Sequence, residues 1–346
     1  MINVGDDIFQ RIPAPLLSWY RQHKRALPWR ENPTPYAVWV SEIMLQQTRV
    51  EAVKEYYLRF MQELPTVQAL ASCEEEKLLK LWEGLGYYSR ARNLQKAAKE
   101  LCLYHDGVLP SDPEKLKKLS GIGSYTAGAI ASIAYHQPVA AVDGNVFRVA
   151  SRLTENPTVI SDPKYRKYLE QTLSQVYPKD ACSEFTQSLF ELGALICKPQ
   201  SPECDKCPLS ELCKAKQSGR QNEFPVLPEK KAKRQEKVYV FVIETPYGLC
   251  IRRRESGVLR GMNELPSHVI EHGESVENVL NEWGMYAFTE IKRRAYTHIF
   301  THIRWDITCV WVKTDDAPFD TYTTQEIAEE ISLPTAFKQC LGILAE

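Results

Sequence analysis

Between residue 16 and about residue 213, apolar residues recur three and four positions apart, as in Leu94, Ala97, Ala98 and Leu101, or Leu189, Leu192, Leu195 and Ile196. That spacing lines one face of an α-helix. Clusters such as Pro110-Ser111-Asp112-Pro113 and Asn156-Pro157 break the pattern into helices of ordinary length. Farther on the period becomes two. Residues 238–243 are a run of β-formers, and Ile303, Trp305, Ile307, Cys309 and Trp311 alternate with Arg304, Asp306, Thr308 and Val310, which predicts strands with one buried face. In between, residues 218–236 turn polar and basic, with Pro225, Pro228, Lys230, Lys231, Lys233 and Arg234. This is the composition of a linker, serving either as a solvated tether or as a strip along a phosphate backbone. The pattern thus predicts an all-α domain over residues 1–217, a basic linker over 218–236 and an α+β domain over 237–346. A length of 346 residues suits two domains of about 150 each, and no internal repeat is visible.

Composition narrows this picture without redirecting it. At 44% hydrophobic and 25% charged residues, the chain is neither disordered, collagen-like nor coiled coil. No apolar run approaches bilayer length, and residues 1–13 lack the apolar centre of a secretory leader, so no membrane partner and a cytoplasmic location are expected. Charge is more informative when divided. Residues 1–236 carry 32 Lys and Arg against 28 Asp and Glu, whereas residues 237–346 carry 11 against 16. So small a positive excess is no signature of nucleic-acid binding, which would have to rest on local patches and backbone donors. The 10 cysteines, in a reducing compartment, read as core residues or metal ligands before disulfides. Six of them, Cys73, Cys102, Cys182, Cys250, Cys309 and Cys340, are scattered and are expected to be small buried hydrophobes.

The other four, Cys197, Cys204, Cys207 and Cys213, fall within seventeen residues. Four thiolates so placed can close on one centre, either a structural zinc or an iron–sulfur cubane. A single Cys-x2-Cys knuckle in a Pro-containing loop after a helix is unlike the paired knuckles of zinc ribbons. A second motif, Leu119-Ser120-Gly121-Ile122-Gly123-Ser124-Tyr125, puts two glycines at a helix start; it is either a plain tight turn or, with its unblocked N–H groups and helix dipole, an anion site for a phosphate. Asp143 follows an apolar run and precedes a helix-like segment. Its simplest role is an N-cap, and the dipole there favours its ionised form. Glu42 falls in a run of Val, Trp, Ile, Met and Leu that begins at Thr34-Pro35, and shares a helix face with Gln46. On a solvated face it is an ordinary surface Glu; if it is buried, desolvation should leave it protonated and able to act as a general acid.

The cysteine spacing and the glycine turn are similar to the cluster loop and helix-hairpin-helix of the endonuclease III superfamily. Together with Leu27-Pro28-Trp29-Arg30, Trp82-Glu83-Gly84-Leu85-Gly86-Tyr87-Tyr88-Ser89-Arg90 and the segment from Val139 through Asp143 to Arg148, they make nearly the whole chain resemble the adenine DNA glycosylases of the MutY type. The resemblance implies an all-α helix-hairpin-helix glycosylase domain with an iron–sulfur cluster loop, followed by an α+β Nudix-like domain. Its implied cofactor is a 4Fe–4S cluster on Cys197, Cys204, Cys207 and Cys213. Its implied partner is double-stranded DNA containing an adenine:8-oxoguanine (or adenine:guanine) mispair, bound by a monomer associated with the nucleoid. In such enzymes the adenine must leave the stack before its glycosidic bond can be reached.

By this resemblance Glu42 protonates the leaving adenine at N7, and Asp143, supported by Asn145 and Tyr125, stabilises or captures the sugar cation. Two carboxyl groups in opposite protonation states are a recurring solution to glycosidic cleavage. Arg30 and Gln187 would contact the adenine; Gln47, Thr48, Leu85 and Tyr87 would fill or wedge the vacated stack; Gly121 and Gly123 would hold a phosphate. Bifunctional relatives carry lysine where this chain has Tyr125, so no efficient Schiff-base lyase step is expected. Phe300, Thr301 and His302 resemble a Phe-Ser-His loop that senses 8-oxoguanine, with threonine retaining the hydroxyl and adding a methyl. Gly273-Glu274 is not followed by the carboxylates that hold magnesium, so pyrophosphate hydrolysis is not expected. Two other readings stay open: an endonuclease III-like pyrimidine glycosylase, and a lesion-binding module without catalysis.

Overall fold

The computed structural model describes residues 6–229 and 232–345. Its contacts divide the chain into two compact units, residues 1–73 with 89–229, and residues 74–88 with 230–346. The first is helical throughout, as the three-and-four spacing predicts. At its centre is the helix Pro35–Leu45, started by the Thr34 hydroxyl, which accepts from the Ala37 N–H at 3.2 Å. Nine of its eleven residues are buried, so this short helix is enclosed on every side. The hairpin comprises Pro113–Leu116 and Ser124–Ala129. Between them Gly121 takes φ +76°, and a Cβ there would lie 2.7 Å from the Asn93 Cβ, so both conformation and space require glycine.

Two helices beside the future site carry a turn of π-helix, Ile130–Ala134 after the hairpin and Leu192–Ile196 after Cys182–Glu191. Periodicity gave no warning of either. The helix Gly144–Thr154 starts at Asp143, whose carboxylate accepts the Val146 N–H at 2.8 Å, the N-cap expected from sequence.

Residues 218–229 are not a free tether. Phe224 is buried, its carbonyl accepts from Arg152 Nε at 2.9 Å, and the Ile160 N–H donates to the Val226 carbonyl at 3.1 Å. One aromatic anchor inside a polar stretch is enough to dock it. Lys230 and Lys231 of the basic run, like Met1–Gly5 of the N-terminus, lie outside the described residues. The first strand, β1, spans Arg234–Thr245, so the expected linker ends inside it.

The second unit is built on β1, β2 (Gly248–Arg253), β3 (Asn263–Glu264), β4 (Ser267–Val269), β5 (Thr289–Ile299), β6 (Ile303–Lys313) and β7 (Asp320–Tyr322). The main order is β3-β2-β1-β6-β5, with β1 and β6 parallel from Arg234↔Ile303 to Glu244↔Lys313 and β5 antiparallel to β6. Both faces are covered. Val240, Trp305, Ile307 and Cys309 pack toward Phe337 and Cys340, while Phe241, Ile243, Val310 and Val312 pack toward Val276, Val279 and Leu280. The two-residue alternation therefore holds only to Cys309. Beyond it Val310 is buried and Trp311 half-buried, its indole N–H donating to Glu244 at 2.9 Å. Residues 74–88 join this unit through Lys80 Nζ, which donates to the Ile327 and Ile331 carbonyls, and through Ser332 Oγ, which donates to the Leu79 carbonyl at 3.1 Å. Of the scattered cysteines, Cys182, Cys250, Cys309 and Cys340 are buried as expected; Cys73 is only half-buried and Cys102 is exposed on the helix Ser89–Tyr104. Among the described residues no helix is long and apolar enough to cross a membrane.

Candidate active site

The enclosed helix Pro35–Leu45 carries Glu42 into the protein with 5% of its surface exposed, which removes the solvated-face reading. It does not sit there alone. One pocket is lined by Glu42, Asp143, Asn145, Tyr125, Arg30, Gln187 and Thr48, all seven predicted from sequence, together with Trp29, Ile133 and Glu191 among others. Burial pushes Glu42 up to about 7, against a hydrogen bond from Tyr125 and the charge of Arg30 that pull it down. A neutral carboxyl is therefore well populated near physiological pH.

Asp143 shares the pocket under different terms. Its carboxylate accepts the Val146 N–H and the Asn145 amide, each at 2.8 Å. Burial pushes this carboxyl up as well, against those two bonds and the Arg148 charge. The upward direction differs from what a helix start alone predicts, because desolvation outweighs the donors. Asp143 nevertheless has more partners for an anion than Glu42, whose side-chain donor is Tyr125. Of the two carboxyls, Asp143 is thus the better furnished to hold a negative charge.

Tyr125 is expected to support Asp143, yet its hydroxyl donates to Glu42 Oε2. The hairpin helix Ser124–Ala129 packs on the Glu42 helix and delivers the phenol there. Asn145 does hold Asp143, and is itself held by Arg148, whose Nη2 donates to Asn145 Oδ1 at 2.8 Å and to the Gly193 carbonyl at 2.9 Å. Gly193 permits this packing: a Cβ there would stand 2.4 Å from the Asn145 Cβ.

Arg30 reaches the pocket on the 3₁₀ turn Pro28–Arg30 and donates to Glu191 Oε1 at 2.7 Å and to the Arg25 carbonyl at 3.0 Å. Gln187 accepts from the Tyr20 hydroxyl at 3.2 Å and donates to Ser183. Arg25, Tyr20, Arg148, Gly193 and Glu191 were not foreseen. For Glu191 a signal existed, a lone carboxylate inside Leu189-Phe190-Glu191-Leu192, the same kind that marked Glu42.

The remaining predicted residues are not among those lining this pocket. Gln47 is exposed with φ +56°. Gly123 is extended, and a Cβ there would meet nothing within 4 Å, so its packing does not require glycine. Leu85, expected to fill or wedge the vacated stack, is buried, and Tyr87 is half exposed at φ +47°. Phe300, Thr301 and His302 form the turn between β5 and β6. Phe300 packs edge-on to Trp305 at 4.9 Å between centroids, while Thr301 and His302 are exposed. The Thr301 hydroxyl lies 3.2 Å from that of Tyr87, bringing together two residues predicted for separate tasks. Glu274 accepts the N–H groups of Glu271 and His272, closing its own turn.

Cys197, Cys204, Cys207 and Cys213 line one hollow with Arg152 and Lys216. Arg152 Nη1 approaches Cys197 Sγ at 3.4 Å. Burial pushes Cys207 up to about 12, so four thiolates could persist here only around a positive centre, with two cations at hand for residual charge. The donor set fits an iron–sulfur cluster.

Comparison with known proteins agrees. Residues 40–176 match the HhH-GPD superfamily of base excision DNA repair proteins, residues 197–213 the iron-sulfur binding domain of endonuclease III, and residues 239–342 the NUDIX domain. The chain is 34% identical to the adenine DNA glycosylase of Mus musculus, covering 88% of this chain and 71% of that protein. It is 30% identical to that of Buchnera aphidicola subsp. Baizongia pistaciae, covering 95% and 92%. The chain belongs to the adenine DNA glycosylase family. A solved non-covalent endonuclease III–DNA complex matches 61% of this adenine glycosylase and 97% of its own chain, with 28% identity and a TM-score of 0.52. The protein is thus a monofunctional DNA N-glycosylase that removes adenine in base excision repair, with a 4Fe–4S cofactor and a Nudix-like second domain.

Proposed function

We propose that the adenine removed is the one mispaired with 8-oxoguanine or guanine, and that Glu42 and Asp143 divide the chemistry. The observation that carries this reading is their meeting in one pocket, Glu42 near neutrality and Asp143 surrounded by donors. Glu42 gives its proton to N7 of the extruded base, which leaves as neutral adenine rather than as an anion. Asp143, held by Asn145 and the Val146 N–H, faces the positive sugar as the bond lengthens; water then adds to the anomeric carbon and the proton it releases restores the one Glu42 gave up. Tyr125 orients the acid. Arg30 and Gln187 offer the base edge a donor and an amide, with Gln47 and Thr48 closing on the vacated stack.

Gly121 and Gly123 supply backbone donors for a phosphate, and the Phe300-Thr301-His302 turn reads the oxidised guanine, with Tyr87 braced on the Thr301 hydroxyl. When bound, the cluster would tie the four thiolates together and hold the loop 197–213 rigid, with Arg152 and Lys216 offsetting its residual negative charge. The test is single-turnover adenine release from duplexes carrying adenine opposite 8-oxoguanine, guanine, cytosine or thymine. The fastest release is expected opposite 8-oxoguanine, with losses on the order of 100-fold or more for Glu42→Gln and Asp143→Asn. Release indifferent to the opposing base, or full activity in either variant, overturns the reading.

A further inference from the structure

Glu191 is the most deeply buried charge at the pocket wall, with 1% of its side chain exposed. It accepts from Arg25 Nε and Nη2 at 2.9 and 3.0 Å and from Arg30 Nη2 at 2.7 Å. A carboxylate so far from solvent is kept only for its partners, and here two guanidinium groups share one anion. Arg30 is the partner that matters to the chemistry, because it lines the same pocket as Glu42 and is the cation acting on it. Its fork is committed elsewhere, one terminal nitrogen to Glu191 and the other to the Arg25 carbonyl.

We propose that Glu191 is a positioning residue: by claiming the Arg30 guanidinium it denies Glu42 an ion-pair partner and leaves that carboxyl its proton. This rests on the assignment of Glu42 as the acid. The other charged or titratable groups around Glu42 are Tyr125 from the hairpin helix and Asp143 from the next helix start, while Arg90 caps the carbonyl end of the Glu42 helix through Ile43 and Met44. Around Glu191 stand Arg25, Arg30 and the Tyr20 phenol. Of the two guanidinium groups lining the pocket, Arg25 and Arg30, it is Arg30 whose charge acts on Glu42. The same contact gives Arg30 a fixed approach to the base, so a single buried carboxylate sets both the charge of the acid and the direction of a donor.

The test is the pH profile of single-turnover adenine release by the cluster-loaded, full-length enzyme between about pH 5 and 9. In the natural protein the rate falls as pH rises through about 7. Glu191→Gln moves that limb down by about one unit, a tenfold larger loss on the alkaline side than on the acid side. Adding Arg30→Met returns the limb to its original position or higher. Glu191→Asp, which keeps the charge but shortens the reach, gives a smaller shift in the same direction and serves if Glu191→Gln fails to fold. A flat profile in the natural protein refutes the acid assignment itself, and this inference with it. A limb present in the natural protein but unmoved in a folded Glu191 variant overturns the inference alone.

Discussion

Gly193→Ala tests the link between packing and chemistry at one atom. The added Cβ would lie 2.4 Å from the Asn145 Cβ and 3.1 Å from the Asn145 Cα and Cγ, well inside contact distance. Asn145 sits in the first turn of the helix Gly144–Thr154 and must move by about 1 Å to give room. Its 2.8 Å bond to Asp143 Oδ2 cannot survive such a shift. A hydrogen bond to a charged group contributes roughly 1.5–3 kcal/mol, which translates to a slowing of about 10- to 150-fold if the bond strengthens as the sugar becomes cationic. Helix propensity works the other way, since alanine in a helical turn is favoured over glycine by about 0.5–1 kcal/mol. The variant should therefore melt within a few degrees of the natural protein and yet excise adenine far more slowly. Gel-based single-turnover excision with parallel thermal melting separates the two effects. A rate within twofold of the natural one would refute the claim that Asn145 is held in place by the absence of a side chain at position 193.

Other consequences follow from the same pocket. Glu42 rises from an ordinary 4.5 to about 7 on folding, so the folded state binds its proton more tightly; stability falls as pH climbs through that window, and about 3 kcal/mol is lost above it. Glu42→Gln should therefore be more stable than the natural protein at pH 8 and equal to it near pH 4, as read by denaturant unfolding at the two pH values. Tyr125→Phe removes a donor that lowers Glu42, so the alkaline limb of its excision profile should move up; a downward shift would contradict the contact. Thr301→Val keeps the shape of the turn and deletes the hydroxyl beside Tyr87. Its preference for 8-oxoguanine over guanine opposite adenine should narrow by about 3- to 10-fold, measured as a ratio of excision rates.

What could be read from the chain beforehand depended on how local the cause was. The N-cap at Asp143 and the four-cysteine loop are determined by neighbours in sequence, and both are found where expected; at Gly121 the positive φ is local, whereas the Asn93 side chain that also demands glycine comes from another helix. Glu42 was undecidable from periodicity because its helix is buried on every side, which leaves no polar face to contrast with. The partner of Tyr125 depends on how two helices pack, and no spacing encodes that. Phe224 shows the opposite failure: a stretch averaged over its composition looks like a tether, while one buried ring ties it down. Leu85 and Cys102 exchange the surroundings expected of them, since both lie where tertiary placement rather than local pattern decides exposure.

Both π turns border the pocket, contributing Ile133 from one and Ala194 from the other. Each amounts to one surplus residue wound into a helix, a defect that weakens regular backbone bonding while bulging the wall outward. Deleting a single residue from either turn would give a better helix and a poorer enzyme, with every later side chain rotated by about 100°. A lineage under pressure for thermal robustness alone would be drawn toward that deletion. Its retention would mark selection for the hole, not for the wall.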